Sequence, residues 1–489
     1  MTERFVQALA CSILVHELLY VFRDGAIYLS RCFLPTFGLQ LGPRGHAAAH
    51  VLLVVGCLGL LRFPGSVLVL SFALAAFVLV VASYSLRLSN HLMLVGFMFV
   101  VVCAGRMLLD RPDVFISVGV RGLLAMTYFF AFFHKCNAEY LSPAHSAATQ
   151  LVEFHCDDRG VSDVRLRKWL GGMAIHGTLA IEALLAGLVL FASGSTLVWT
   201  LMLGLGFHFI LALAGILNFS SVMYAGLLAL VPDAAWERGV EGILGAPPAV
   251  LGFAVAIPVV LVVLVTPRDA GPRCPYVLRT PAWVLQIAFG AWTGLAMLGL
   301  TALLDAPPGP APSWSSLPGQ WVLLTVWGLF AFNGIGPYLG LKTEFSFSMF
   351  SNLRHEPWTH LFFPGEWRPF DCSDYVRIVE VRGLRSRDEG GDSDVDLILH
   401  VLAHHREFAC SRRFLLEGVR RLSRGPMEDA RLEVDYLDRD GTLRTASAAA
   451  AEKAGSITLF PFLMPLDPER PHSEQGSVLA TSSQGRRLF

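Results

Sequence analysis

Charge is scarce in this chain of 489 residues: Asp, Glu, Lys and Arg make up 16% of it, hydrophobic residues 54%, and the mean hydropathy is +0.54. Average soluble proteins carry about 25% charged residues, so water is not the solvent for most of this sequence. The formal net charge of −1 leaves no strong basic or acidic field, which excludes nucleic acid as an expected partner. The nine cysteines include no C-x-x-C pair, and Cys11, Cys57 and Cys103 sit in apolar runs where a thiol behaves as a small hydrophobe. They define neither a metal site nor a redox compartment. His46 and His50 have the i,i+4 spacing of a helical ligand pair, but no third ligand accompanies them, so no metal is expected. A solenoid repeat is lacking, as is the matched pair of broken helices that would mark a transporter.

What is present is a succession of long apolar runs. Crossing a bilayer takes about 20 apolar residues, and candidate spans are 5–22, 46–61, 66–83, 90–103, 114–135, 170–191, 198–216, 219–231, 249–265, 281–304 and 320–341. The first contains His16 and Glu17 and lacks a small-residue cleavage site, so it reads as a retained helix. The run 219–231 is short enough to be a half-helix or the arm of a broken one. "APPGPAPSWSSLPG" (306–319) is a surface linker, too rich in proline for a helix.

Beyond residue 341 the composition turns charged. "VRIVEVRG" (376–383) and "DLILHVLAHH" (396–405) read as strands, "RRFLLEGVRRL" (412–422) as a helix, and "RLEVDYLDRDGTLRTA" (431–446) as a hairpin turning at Asp-Gly. The expected fold is a polytopic α-helical membrane protein with roughly nine to eleven membrane helices and a small C-terminal α+β or mainly β soluble domain. Residues 1–341 form the membrane domain, 342–465 the soluble domain and 466–489 a disordered tail. On these spans Arg23, Arg31, Arg44, Arg159, Arg165, Arg167, Lys168, Arg268, Arg273 and Arg279 share a side with the C-terminal domain, which the positive-inside bias makes cytoplasmic.

Ionisable residues within spans are the candidates for chemistry, because burying them in hydrocarbon is costly. Arg121, Tyr128 and Lys135 recur every seven residues, so they form one stripe along a helix. That stripe either faces a cavity or ends in a lysine that snorkels to the headgroups. Asn90 and His91 open another span, as a cap with a tolerated histidine or as a polar pair facing the same cavity. His176 and Glu182 are six apart, a poor fit to one helical face, so no direct pair is expected. His208 and Asn218 flank a junction of spans where a break would leave backbone groups needing partners.

Several of these stretches, taken in order, resemble the vitamin K-dependent gamma-carboxylase and its microbial relatives with the horizontally transferred transmembrane domain. They are "NHLMLVG" (90–96), "VRGLLAMTYFFAFFHK" (120–135), "IHG" followed by Glu182, "FH" followed by "NFSSVM", and "FSFSMFSNLR" (345–354). The resemblance implies a reduced, vitamin K-like quinone as cofactor, with O2 and CO2 as co-substrates and an acidic peptide or small molecule as acceptor. It implies Lys135 as the general base and His91 as its catalytic partner. Arg121, Tyr128, His208, Asn218, Asn352 and Arg354 then bind substrate or cofactor, with Arg354 gripping an acidic group. A lysine is a base only when neutral, and desolvation among Phe132 and Phe133 favours that form. This sequence departs from the family where Asn352 replaces a histidine, His134 a second lysine and Asn137 an aspartate, and its soluble part is shorter. The expected protein is an integral, multi-pass enzyme of a bacterial inner membrane that couples quinone oxidation to proton abstraction and carboxylation. The alternative is a quinone- or lipid-binding or assembly protein without chemistry. The family would place the C-terminal domain outside the cytoplasm, opposite to the charge bias.

Overall fold

The computed structural model describes residues 2–24, 39, 41–83, 90–110, 112–265, 280–305, 307–309, 318–341, 346, 351, 353, 360–363, 370, 375–383, 398–399, 402–403, 408–424, 432–438, 441–447 and 463–465. Its helices, in chain order, are α1 (Thr2–Asp24), α2 (Gly42–Arg62), α3 (Val67–Ser83), α4 (Asn90–Leu108), α5 (Pro112–Lys135), α6 (Ala138–Leu141), α7 (Ala147–Asp158) and α8 (Val164–Phe191). They continue as α9 (Gly194–Leu213), α10 (Leu217–Leu228), α11 (Asp233–Leu244), α12 (Pro248–Val265), α13 (Thr280–Thr301) and α14 (Gln320–Ile335).

Eight of these, α1, α2, α4, α5, α8, α9, α12 and α13, are long and apolar enough to cross a membrane, and a ninth crossing is possible if the bent pair α10–α11 forms one span. This meets the expected nine to eleven only at its lower end, for two physical reasons. The apolar helices α3 and α14 have only 17 and 16 residues. The run 219–231 is one arm of a helix broken by 114°. Pro232 supplies no amide hydrogen and sits extended, at ψ 152, so the chain restarts as α11 in a new direction.

Side-chain bonds show how α1, α2 and α5 run relative to one another. Thr2 donates through its backbone N and its Oγ1 to Asp113 Oδ1, at 2.8 and 2.6 Å, which joins the start of α1 to the start of α5. Gln7 Nε2 donates to the Leu61 carbonyl at 2.9 Å, so α2 returns antiparallel to α1. Alternation continues through α3, α4 and α5, and Lys135 ends α5 at the end of the bundle where α2, α4 and α10 begin. We call this the proximal end.

α12 is apolar all round, yet Val262 is its one buried residue; Phe253, Ile257, Val260 and Leu264 are all exposed. In water such a surface would be an association site, whereas against lipid tails it is at no disadvantage. Elsewhere the helices close on one another through glycine. Trp327 on α14 lies flat against Gly122 of α5 and donates through Nε1 to the Gly119 carbonyl at 3.0 Å. A side chain at Gly122 would occupy the indole's place, so the small residue is what lets the backbones approach.

The C-terminal region holds a five-stranded antiparallel sheet in the order β4-β3-β1-β2-β5, built from β1 (Tyr375–Arg382), β2 (Phe408–Ser411), β3 (Glu433–Leu437), β4 (Leu443–Ser447) and β5 (Leu463–Pro465). Helix α15 (Arg412–Arg424) places Phe414, Leu415 and Val419 in the core of this region with Val376, Ile378, Val434 and Tyr436. The β3–β4 hairpin turns where Asp-Gly was expected to turn it, with Gly441 at φ 78, a conformation that a side chain would resist. The strand expected at 396–405 is a correction: its described residues, 398–399 and 402–403, are helical. Ile398 and Leu402, four apart, are both buried in the core that holds Phe414 and Val419, a spacing that suits one face of a helix. The tail 466–489 lies outside the described residues.

Replacing Gly122 with Leu should lower stability by ~1–3 kcal/mol through overpacking. Gly172→Leu, at a site where an added Cβ meets nothing within 4 Å, should leave stability unchanged. Denaturation midpoints of the two variants in detergent check this; equal midpoints would remove the α5–α14 contact as a determinant.

Candidate functional site

The polar stripe of α5 meets three different partners. At the distal end, Arg121 Nη1 donates to the carbonyls of Ala192 (2.8 Å) and Leu190 (3.5 Å), the last residues of α8 and its cap. A guanidinium there satisfies carbonyls that have no partner within the helix and complements the negative end of the helix dipole. Two turns on, the Tyr128 hydroxyl and His208 Nε2 of α9 are 2.8 Å apart. After two more turns, Lys135 Nζ donates to Glu182 of α8, 2.8 Å from Oε1 and 3.0 Å from Oε2, and to the Ala131 carbonyl at 3.2 Å. Arg121 thus caps a helix, while Tyr128 and Lys135 each make a buried pair.

Both members of the Lys135–Glu182 pair are withdrawn from solvent, at 4% and 6% exposure, so the lysine does not snorkel. Beside its apolar neighbours Lys135 therefore has a carboxylate against it. Sequence spacing singled out Glu182 but tested it only against His176. His176 is exposed while Glu182 is buried, and the true partner lies 47 positions away, beyond what periodicity can detect. The ring of Tyr140, on the one-turn helix α6, lies 5.8 Å from Lys135 Nζ. Its phenol is pushed above its ordinary pKa, first by burial and then by the nearby Glu182 charge.

His134 and Lys135 are adjacent and point in different directions, about 100° apart around the helix. His134 Nε2 donates to the Ser346 carbonyl at 2.7 Å, which leaves Nδ1 to accept from the Tyr338 hydroxyl, also at 2.7 Å. Asn137 then caps α6, accepting from Tyr140 N at 2.8 Å while donating to the carbonyls of His134 (2.8 Å) and Ser351 (2.6 Å). His360 Nε2 donates to the Phe133 carbonyl at 2.9 Å, and its Nδ1 accepts from the amides of Phe362 and Phe363, both at 3.2 Å. Burial lowers the His360 pKa while the Phe133 carbonyl pulls it up, and this bonding pattern belongs to the neutral ring. The segment after α14 is thereby fastened to the end of α5. Asn352 and Arg354, expected to bind substrate there, lie outside the described residues; their neighbour Ser351 is bonded to Asn137.

His91, expected to act with Lys135, has its Nε2 2.7 Å from His16 Nδ1 on α1. Asn218 uses its Oδ1 to accept from Phe219 N at 2.9 Å and reaches the Tyr20 hydroxyl at 3.5 Å, so it serves the junction between α9 and α10. His208 is fully buried, ringed by Tyr128, Phe207 and Phe219, and its Nδ1 has no hydrogen-bond partner among the described residues.

No group of three or more His, Cys, Asp or Glu among the described residues is arranged to hold a metal ion. No family model matches the chain, and neither a curated protein nor a solved structure does.

Removing Glu182 alone strands a buried ammonium. Glu182→Ala should cost ~3–5 kcal/mol, and the double change Lys135→Met with Glu182→Leu should recover most of that. Detergent-denaturation midpoints of the single and double variants check it; a double variant as unstable as the single one would mean that the pair is not the tie between α5 and α8.

Proposed function

We propose that the chain is an integral, multi-pass enzyme of a bacterial inner membrane, of the vitamin K-dependent gamma-carboxylase kind, acting on a reduced isoprenoid quinone and an acidic substrate. With α3 and α14 counted as short crossings and α10–α11 as one, it has about eleven membrane segments. The observation that carries the reading is the Lys135–Glu182 pair. Two ionisable groups bonded at 2.8 Å inside an apolar helical bundle are costly to bury, and such residues mark functional sites by default.

The surroundings suit a quinone ring. His208 Nδ1 is a buried nitrogen without a partner among the described residues, walled by Phe207, Phe219 and Tyr128, and it would hold a ring oxygen. When bound, the reduced quinone supplies, together with O2, the strong base that the substrate proton requires, and CO2 is the carbon electrophile. The protein's own task is to handle the first proton. In the resting pair the ammonium is held by Glu182. Passing one proton from Nζ to the carboxylate gives a neutral amine beside a neutral acid, with no net charge change in the low-dielectric interior. The amine then accepts a phenolic proton and the pair is charged again on Lys135. Tyr128 orients His208 toward the ring, and Arg354 is proposed to grip the acidic substrate.

A second reading has its own support. The ammonium already contacts both carboxylate oxygens and a carbonyl, as a structural clamp between α5 and α8 would, and the protein would then bind quinone or lipid without chemistry. Lys135→Arg separates the two, because arginine keeps the charge and the tie to Glu182 but cannot give up its proton. Under the enzymatic reading both Lys135→Arg and Lys135→Ala lose about 100-fold or more of hydroquinone-dependent O2 uptake. Under the clamp reading no form of the protein, wild type included, takes up O2 with hydroquinone, and wild-type turnover retained by Lys135→Arg would remove lysine as the base.

A further inference from the structure

A second buried polar system occupies the proximal end of α1–α4, apart from Lys135. Ser83 Oγ is 2.9 Å from His46 Nδ1, His46 Nε2 is 3.1 Å from His50 Nε2, and His50 Nδ1 is 2.7 Å from Glu17 Oε2. All four residues are at most 4% exposed. They form an unbroken file across three helices: Ser83 is the last residue of α3, His46 lies four residues into α2, and His50 and Glu17 are deeper, about 12 Å from the start of α2. We propose that this file is a proton-relay site that stores one proton at Glu17–His50 and exchanges it at the Ser83 end.

The assignment rests on counting hydrogens. Each contact in the file needs exactly one hydrogen, and an imidazole that donates from one nitrogen and accepts at the other passes that constraint along the line. In the loaded state the stored proton lies between Glu17 Oε2 and His50 Nδ1. His50 Nε2–H then donates to His46 Nε2, and His46 Nδ1–H donates to Ser83 Oγ, whose hydroxyl donates to the Leu79 carbonyl at 2.8 Å. In the unloaded state every bond is reversed: Ser83 Oγ–H donates to His46 Nδ1, His46 Nε2–H to His50 Nε2, and His50 Nδ1–H to the Glu17 carboxylate. Between the two states His46 Nδ1 passes its proton to Ser83 Oγ, which gives up its own hydroxyl proton to water at the proximal end, so one proton leaves the file. His46 regains a hydrogen at Nε2 from His50, and His50 takes the stored proton fully onto Nδ1. No heavy atom need move, so the two states share the same framework. A purely structural network would be satisfied by one polarity; the back-to-back Nε2 atoms of His46 and His50 are what allow both.

The titratable neighbours include His16 and Tyr20 on α1, whose tilted rings have centroids 4.6 Å apart, Cys57 on α2 within electrostatic range of Glu17, and His91 on α4, bonded to His16. α3 contributes Ser83, and α10 contributes the neutral Asn218 through Tyr20.

Infrared difference spectra of the full chain in lipid, recorded through a pH titration and after a pH jump, test the relay. The carboxyl band of Glu17 and the imidazole bands of His46 and His50 should change together in the wild type. Glu17→Gln should abolish the carboxyl band and alter the imidazole bands with it. His46→Gln and Ser83→Ala should slow proton uptake after the jump by about 100-fold while the Glu17 band persists. Carboxyl and imidazole bands that titrate separately, or uptake at the wild-type rate in both Ser83→Ala and His46→Gln, would overturn the proposal. Lys135→Ala should leave these bands unchanged, so the relay stands or falls independently of hydroquinone turnover.

Discussion

The pairing of Lys135 with Glu182 is the contact on which the helical domain turns. An ammonium at the end of an aromatic run can reach water only by snorkelling; here α8 lies across its path and presents a carboxylate instead. Once that bond is made in an apolar setting, neither helix can slide or rotate without stranding a charge. Arg121 holds the same two helices at their other meeting point by capping the end of α8, so α5 and α8 are pinned at two heights, with the Tyr128–His208 bond between them.

Polarity is otherwise gathered at one end of the bundle. Glu17, His46, His50, Ser83 and His91 lie near the proximal ends of α1–α4, and His134, Lys135, Asn137 and Tyr338 lie at the same end of α5 and α14. The chain returns there after α14, and Ser346, Ser351 and His360 bond back to His134, Asn137 and Phe133. Ionisable groups cost least where helix ends and connecting segments provide backbone partners. The two proposed proton-handling sites, one at α5–α8 and one across α1–α3, would both lie at that end.

Much of the helical architecture was legible in the residues. Low charge and repeated apolar runs announce membrane-length helices, and these properties belong to each segment whatever it packs against. The hairpin at Asp-Gly and helix α15 were legible for the same reason, since turn chemistry and apolar period are local. Where a neighbour decides, reading failed. The segment 396–405 alternates well enough for a strand, yet Ile398 and Leu402 are both at helical positions and lie in one core with Phe414 and Val419. The break at Pro232 showed only as a short run of uncertain kind.

The sequence by itself determined which side chains would be expensive to bury: Arg121, Tyr128 and Lys135 on one stripe, with His91, His208 and Glu182 elsewhere. Only the tertiary structure decided how that expense is met. It assigned Lys135 to Glu182 across 47 residues, His91 to His16 across 75, and Tyr128 to His208 across 80. Helical period tells which residues share a face, but a buried charge is stabilised by whichever helix the packing brings opposite, and that is a property of the assembled bundle.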